Sequence, residues 1–185
     1  DRFRSVCDAA QESNIKVRGY VSCVLGCPYE GEIDPDIVTD VSRELLKMGC
    51  YEVSLGDTVG MGNPKSTAKL LDSILKDIPI EQVAVHFHDT YGMAVANLST
   101  ALERGISVVD ASVSGLGGCP YAAGATGNIA TEDVVHLLDG LGIDHDVDKS
   151  ALLNAQKSID KYLDRISASK VVLANKGIEK KKKLD

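Results

Sequence analysis

The sequence predicts an α/β fold of four successive βα units, half the complement of a TIM (β/α)8 barrel. Three observations predict it. Short β-branched runs begin near residues 17, 51, 83 and 108, at the spacing of a βα repeat. A helical, amphipathic pattern follows each run. Glycine and polar residues gather after each run rather than before it, which is where (β/α)8 barrels carry their active sites. A full barrel needs about 250 residues and eight units. A chain of 185 residues with four strands therefore reads as half a barrel. Either the other half lies elsewhere on a longer chain, or a second chain supplies it. A doubly wound sheet is the competing architecture, but no G-x-G-x-x-G fingerprint supports it.

The elements follow in order. The chain opens inside what reads as a helix, so the natural N-terminus is expected upstream. The first strand is residues 17–24, and the next helix is announced by Asp34 as N-cap with Pro35 in the first turn. The second strand, 51–55, ends at Gly56-Asp57-Thr58, and Asn63-Pro64 repeats the cap-then-proline signal. The third strand, 83–88, precedes a helix through Ala94, Ala96, Leu98 and Leu102. The fourth, 108–113, runs into a long glycine-rich loop. Thr131-Glu132-Asp133 then predicts a helix start, with an N-cap and two acids suited to the dipole. A last helix is expected over 149–165. Residues 1–174 form the half-barrel in this reading, and 175–185 a flexible lysine-rich tail. The run of lysines at 180–183 is a solvated end or a basic patch, and the acidic remainder of the chain weakens the second reading.

Composition narrows the function. With 44% hydrophobic and 25% charged residues the chain has the profile of one globular domain. Its net charge of -7 argues against nucleic acid or an anionic membrane as partner, though a metal or local Lys and Arg can still attract an anionic substrate. Five cysteines, an odd number without framework spacing, predict reduced thiols in an intracellular compartment. Cys23 and Cys27 lack a second pair to complete a zinc site. No apolar run reaches the ~20 residues of a membrane span, and no targeting peptide is visible.

Four constellations could carry chemistry. His86 and His88 lie at i and i+2 of a strand, so their imidazoles project from one face. They suit cis ligation of a divalent cation, or they are two unrelated histidines within the barrel. Asp89 orients one of them or caps the next turn. Cys119 stands at the tip of Gly115-Leu116-Gly117-Gly118-Cys119-Pro120, a loop with wide backbone freedom. Its thiol could transfer protons beside a cation, or be a small buried hydrophobe. Asn128 could offer an amide oxygen to a hard cation or serve a turn. Asp57 could be a base, an acceptor for a substrate hydroxyl, or a local cap. His136 and His145 read as solvated or capping residues.

Together these pieces resemble one family. The segment Ser112-Val113-Ser114-Gly115-Leu116-Gly117-Gly118-Cys119-Pro120-Tyr121 is similar to the signature of 3-hydroxy-3-methylglutaryl-CoA lyases. Val85-His86-Phe87-His88-Asp89-Thr90-Tyr91-Gly92 resembles their metal-binding strand. Arg18-Gly19-Tyr20-Val21-Ser22, Cys27-Pro28-Tyr29-Glu30-Gly31 and Ser54-Leu55-Gly56-Asp57-Thr58 fit as well. The likeness covers residues 1–174, the C-terminal part of the catalytic barrel.

The resemblance implies a TIM barrel with Mg²⁺ or Mn²⁺ that splits 3-hydroxy-3-methylglutaryl-CoA into acetyl-CoA and acetoacetate, in ketogenesis and leucine degradation. It implies His86, His88 and Asn128 as metal ligands, with His86 also in proton transfer. Cys119 and Asp57 would join His86 as catalytic groups, and Tyr20 and Ser54 would line the substrate pocket. It further implies an acyl-CoA substrate, a homo-oligomer such as a dimer, and no nucleic-acid or membrane partner. The mitochondrial matrix is the implied compartment, with cytoplasm or peroxisome as alternatives. Two departures stand out. The family's early-strand motif, which supplies a metal-ligand Asp and a catalytic Arg, has no counterpart here, and Phe87 replaces a smaller residue between the histidines. Two other functions stay open: an inactive short form that acts by association with full-length subunits, and a Claisen-type acyltransferase of the same barrel superfamily.

Overall fold

The computed structural model describes residues 2–118 and 127–181. The elements run α1 (Arg2–Glu12), β1 (Val17–Ser22), α2 (Pro35–Lys47), β2 (Cys50–Asp57), α3 (Pro64–Ile74), β3 (Val83–Phe87), α4 (Ala94–Leu102), β4 (Val109–Asp110), α5 (Thr131–Leu141), α6 (Lys149–Tyr162) and α7 (Lys170–Lys181). Among the described residues they divide into two compact units, one up to residue 110 and one comprising 111–118 and 127–181.

In the first unit β1 to β4 form one parallel sheet in sequence order. Helices start where the cap-then-proline signals lie. The Asp34 carboxylate accepts from Asp36 N, and Asn63 forms a reciprocal capping box with Ser66. These caps satisfy amides that would otherwise lack partners at each helix start.

Register then sorts the strand residues into two faces. Gly19, Val53 and Val83 align across the sheet, as do Val21, Leu55, Val85 and Val109. A Cβ built on Gly19 would meet Leu45 of α2 at 3.0 Å, so this set faces the helices. Val53, Leu55, Val83, Val85 and Phe87 are buried there with Leu70, Leu71 and Ile74 of α3 and Leu98 of α4. Val21, Val53, Val85 and Val113 or their strand neighbours are expected to face inward; Val21, Val53 and Val85 line the helix side, and it is their neighbours that face inward. The inward positions go to Arg18, Tyr20, Glu52, Ser54, His86 and Asp110. Alternation allows one face per parity, and the helices need the apolar one.

The second unit departs from expectation in three places. The fourth strand ends at Asp110 rather than 113, because Val113–Gly115 forms one 3-10 turn with Ser114 at φ 60°. Thr131 is not the cap of α5. Ala130 holds that position without a side-chain bond, and the two acids behind it bind elsewhere. Glu132 accepts Ser114 N on both oxygens at 3.0 Å. Asp133 accepts Lys170 N, Val171 N and the Ser169 hydroxyl, and so caps α7. Finally, α6 stops at Tyr162, with Asp164 at φ 47°, and α7 continues through residue 174, where the tail was expected to begin. No described helix is long and apolar enough to cross a membrane.

Candidate functional site

The inward face of the first unit carries the polar residues. β3 delivers His86 near its C-terminal end, and His88 follows just beyond. Their Nε2 atoms lie 3.4 Å apart with ring centroids at 5.4 Å. Cis ligands of one cation at ~2.1 Å sit roughly 3.0–3.4 Å apart, so the pair has the spacing of two ligands. Phe87 between them is buried on the helix side, which is why its size leaves the pair undisturbed. Among the described residues no cluster of three His, Cys, Asp or Glu forms a complete metal site. Two imidazoles alone are an incomplete ligand set for a hard cation.

Behind His86 lies a charge network that sequence reasoning missed. The Arg18 guanidinium bonds Glu52, both oxygens of Asp110 at 2.8 and 2.9 Å, and the Tyr20 hydroxyl at 2.6 Å. The Ser54 hydroxyl donates to Asp110 Oδ2 at 2.8 Å. His86 Nδ1 lies 3.4 Å from that same oxygen. Burial opposes the Asp110 charge, but His86, Ser54 and Arg18 outweigh it and hold the carboxyl at about 2. Tyr20, by contrast, stays 57% exposed, with its ring edge toward His86 at 6.2 Å. Asp110 could have been suspected only from register, since β3 and β4 pair His86 with Asp110 across 24 residues of sequence.

Asp57 has the geometry of a local cap. Its fully buried carboxylate accepts Gly60 N, Met61 N and Gly62 N at 2.9–3.1 Å. Burial pushes this carboxyl up, against the pull of the three amides. Asp89 accepts Ala94 N at 3.0 Å, so of its two readings it takes the cap, at the start of α4. His136 is exposed, and His145 bonds Asp139 and Val147 N, in keeping with solvated and capping roles.

In the second unit, Asn128 donates Nδ2 to Leu116 O at 2.7 Å. Its Oδ1 is buried and has no partner among the described residues. A buried acceptor without a donor is costly, and it suits a cation ligand. Cys119 lies outside the described residues.

The comparisons agree with this architecture. The HMGL-like family model matches residues 1–159. The chain is 55% identical to a rat 3-hydroxy-3-methylglutaryl-CoA lyase named cytoplasmic, over 94% of this chain and 51% of that protein. It is 54% identical to a human hydroxymethylglutaryl-CoA lyase named mitochondrial, over 94% and 53%. The crystal structure of the Pseudomonas aeruginosa lyase superposes with a TM-score of 0.90 at 52% identity, over 94% of this chain and 59% of that one. An HMG-CoA lyase from Acinetobacter baumannii, in complex with coenzyme A and 3-methylmalate, superposes with a TM-score of 0.87 at 35% identity, over 93% and 56%. The chain thus spans about half the length of the curated relatives it matches. Four parallel βα units, a paired-histidine strand and a family match over residues 1–159 lead to one assignment: the chain belongs to the HMGL-like family, on part of a TIM barrel.

Proposed function

We propose that this chain contributes to a divalent-metal-dependent lyase that cleaves 3-hydroxy-3-methylglutaryl-CoA to acetyl-CoA and acetoacetate. The observation that carries it is the pair of Nε2 atoms 3.4 Å apart on the polar face of the sheet, in a chain of this family. By the family resemblance, His86 and His88 of the first unit and Asn128 of the second are proposed as the ligands of Mg²⁺ or Mn²⁺; Asn128 Oδ1, without a partner among the described residues, fits a hard cation. When bound, the cation supplies Lewis-acid polarisation of substrate oxygens, worth several kcal/mol.

The remaining chemistry falls to side chains. The substrate's tertiary hydroxyl must lose its proton as the carbon–carbon bond breaks and the ketone of acetoacetate forms. The bond's electrons pass to the acetyl-CoA carbon, which then takes a proton from a positioned acid. Cys119 is the proposed donor. His86 is proposed to share in proton transfer. Tyr20 is proposed to touch the substrate, and its exposure supports access. Ser54 is proposed beside it, with its hydroxyl engaged by Asp110. Asp57 is proposed as a catalytic acid/base or a group that orients the substrate, held in place by its three backbone bonds to the 60–62 segment.

The coenzyme A complex of the related structure supports an acyl-CoA substrate. A homodimer is proposed for the assembled enzyme, and ketogenesis with leucine degradation for its pathway. The mitochondrial matrix is the proposed compartment, although relatives carry both mitochondrial and cytoplasmic names. The test is turnover of 3-hydroxy-3-methylglutaryl-CoA by the full-length protein before and after exhaustive chelation. We expect activity to vanish and to return with Mg²⁺ or Mn²⁺. Full activity in the chelated protein would refute the metal-dependent reading.

A further inference from the structure

The imidazole of His86 has two nitrogens in different surroundings. Nε2 faces the Nε2 of His88. Nδ1 is buried, has no hydrogen-bonding partner at good geometry among the described residues, and lies 3.4 Å from Asp110 Oδ2. Asp110 is itself immobilised. Arg18 grips both its oxygens, Ser54 holds Oδ2, and Glu52 fixes Arg18 from the other side. The carboxylate therefore sits at a set position behind the ring, on the side away from His88.

We propose that Asp110 is a positioning residue for the His86 ligand, fixing the imidazole as the tautomer with its proton on Nδ1 and its lone pair on Nε2. The inference rests on the metal-site reading above. A carboxylate oxygen is only an acceptor, and an unprotonated Nδ1 is only an acceptor. Placed 3.4 Å apart with no donor between them, two acceptors repel. A proton on Nδ1 turns that contact into attraction, and it leaves Nε2 as the sole lone pair, directed toward His88. A ligating histidine commonly presents its second nitrogen to a carboxylate in this way, which orients the ring and raises ligand basicity. Arg18 and Ser54 act one step further out. They balance the charge of the carboxylate and fix its orientation behind the ring.

Register explains why the arrangement is built in. Arg18 and Glu52 occupy inward positions of β1 and β2, and Ser54 lies two residues on from Glu52, on the same face. His86 and Asp110 are direct partners across β3 and β4. Four strands each contribute a member, so the ligand's orientation is tied to formation of the whole sheet.

The experiment uses the full-length protein, metal-free, with ¹⁵N-labelled histidine. Long-range ¹H–¹⁵N correlation at about pH 8, where an imidazole of ordinary pKa ~6.5 is neutral, reports which nitrogen of His86 carries the proton. We expect Nδ1 in the wild type and a shift toward the other tautomer in Asp110→Asn. Mn²⁺ affinity, read by electron paramagnetic resonance, should fall about 10–100-fold in that variant. Ser54→Ala should move both readouts the same way by less. A wild-type His86 protonated on Nε2 overturns the proposal without any variant, which covers the case of Asp110→Asn failing to fold. A folded Asp110→Asn protein with unchanged tautomer and unchanged Mn²⁺ affinity overturns it too. His86→Ala separates the two layers. If it leaves Mn²⁺ binding intact, the metal-site reading fails. If it abolishes binding while Asp110→Asn does not weaken it, only the positioning role fails.

Discussion

Glu132 shows how one side chain ties two segments of the second unit. It is 3% exposed, and both its oxygens accept from the amide of Ser114, a residue held at positive φ. Burial pushes this carboxyl above the ordinary glutamate range. Backbone amides pull against that, and Asp133 and Asp160 add to the rise. The folded state therefore binds the Glu132 proton more tightly than the unfolded state. Its contribution to stability is greatest at low pH and declines as pH rises from the ordinary glutamate value through the raised one. Glu132→Gln keeps an acceptor for Ser114 N but cannot ionise. Urea midpoints from about pH 4 to about pH 7 should show the wild type losing stability relative to the variant as pH rises. A constant difference would show that Glu132 is not the group responsible. A second residue-scale expectation concerns Cys119. If its thiol acts in the chemical step, Cys119→Ser lowers kcat by about 10²–10⁴-fold with little change in KM. Unchanged kcat in steady-state assays would reassign Cys119 to packing. The histidine pair was legible in the sequence because two-residue spacing on a strand fixes a shared face. Arg18 and Asp110 were not, because their meeting depends on the register of strands 92 residues apart, which no local pattern encodes.

Among the elements, β1 and α2 are joined through Gly19. Its backbone φ is ordinary, so the glycine is there for space rather than for conformation. An added methyl would lie 3.0 Å from Leu45 Cδ1 and 3.3 Å from Leu45 Cβ. Gly19→Ala should cost about 1–3 kcal/mol through overpacking, measured by urea unfolding of the intact protein. The same change combined with Leu45→Ala should lose less than the sum of the two, and strict additivity would argue against this contact as the cause. Strand starts and the caps at Asp34 and Asn63 were readable because each rests on a few adjacent residues. Helix α7 was hidden for the opposite reason. Part of its N-terminal capping comes from Asp133 in α5, so its start signal is written in another helix. The short β4 was equally hidden, since the β-branched pattern through Val113 gives no sign of the turn at Ser114.

At the scale of the molecule, the consequence of four strands in sequence order is two sheet edges among the described residues, β1 and β4. Along β1 runs a groove lined by Phe3, Val6, Tyr20, Val41 and Met48. Four of these, Phe3, Val6, Tyr20 and Val41, are at least 45% exposed. Unpaired edges and contiguous apolar surface favour association, and a closed barrel has neither. We expect the 185-residue chain alone to sediment as dimers or larger assemblies and to show no turnover with Mg²⁺ or Mn²⁺. A monodisperse, active monomer would overturn that expectation.

The division of the sheet into two faces has a consequence for genetic change. Substitutions on the inward parity alter charge and ligand geometry while leaving the helix side packed. Substitutions on the other parity open cavities while leaving the ligands in place. Loss of a single codon within β3 respects neither rule. Shifting that strand by one position would exchange its parities, carrying Phe87 inward and one histidine in among Leu70, Leu71 and Leu98. One short deletion would then inflict both kinds of damage at once. Lineages carrying this sheet should therefore tolerate substitutions that keep each parity's character far better than any change in strand length.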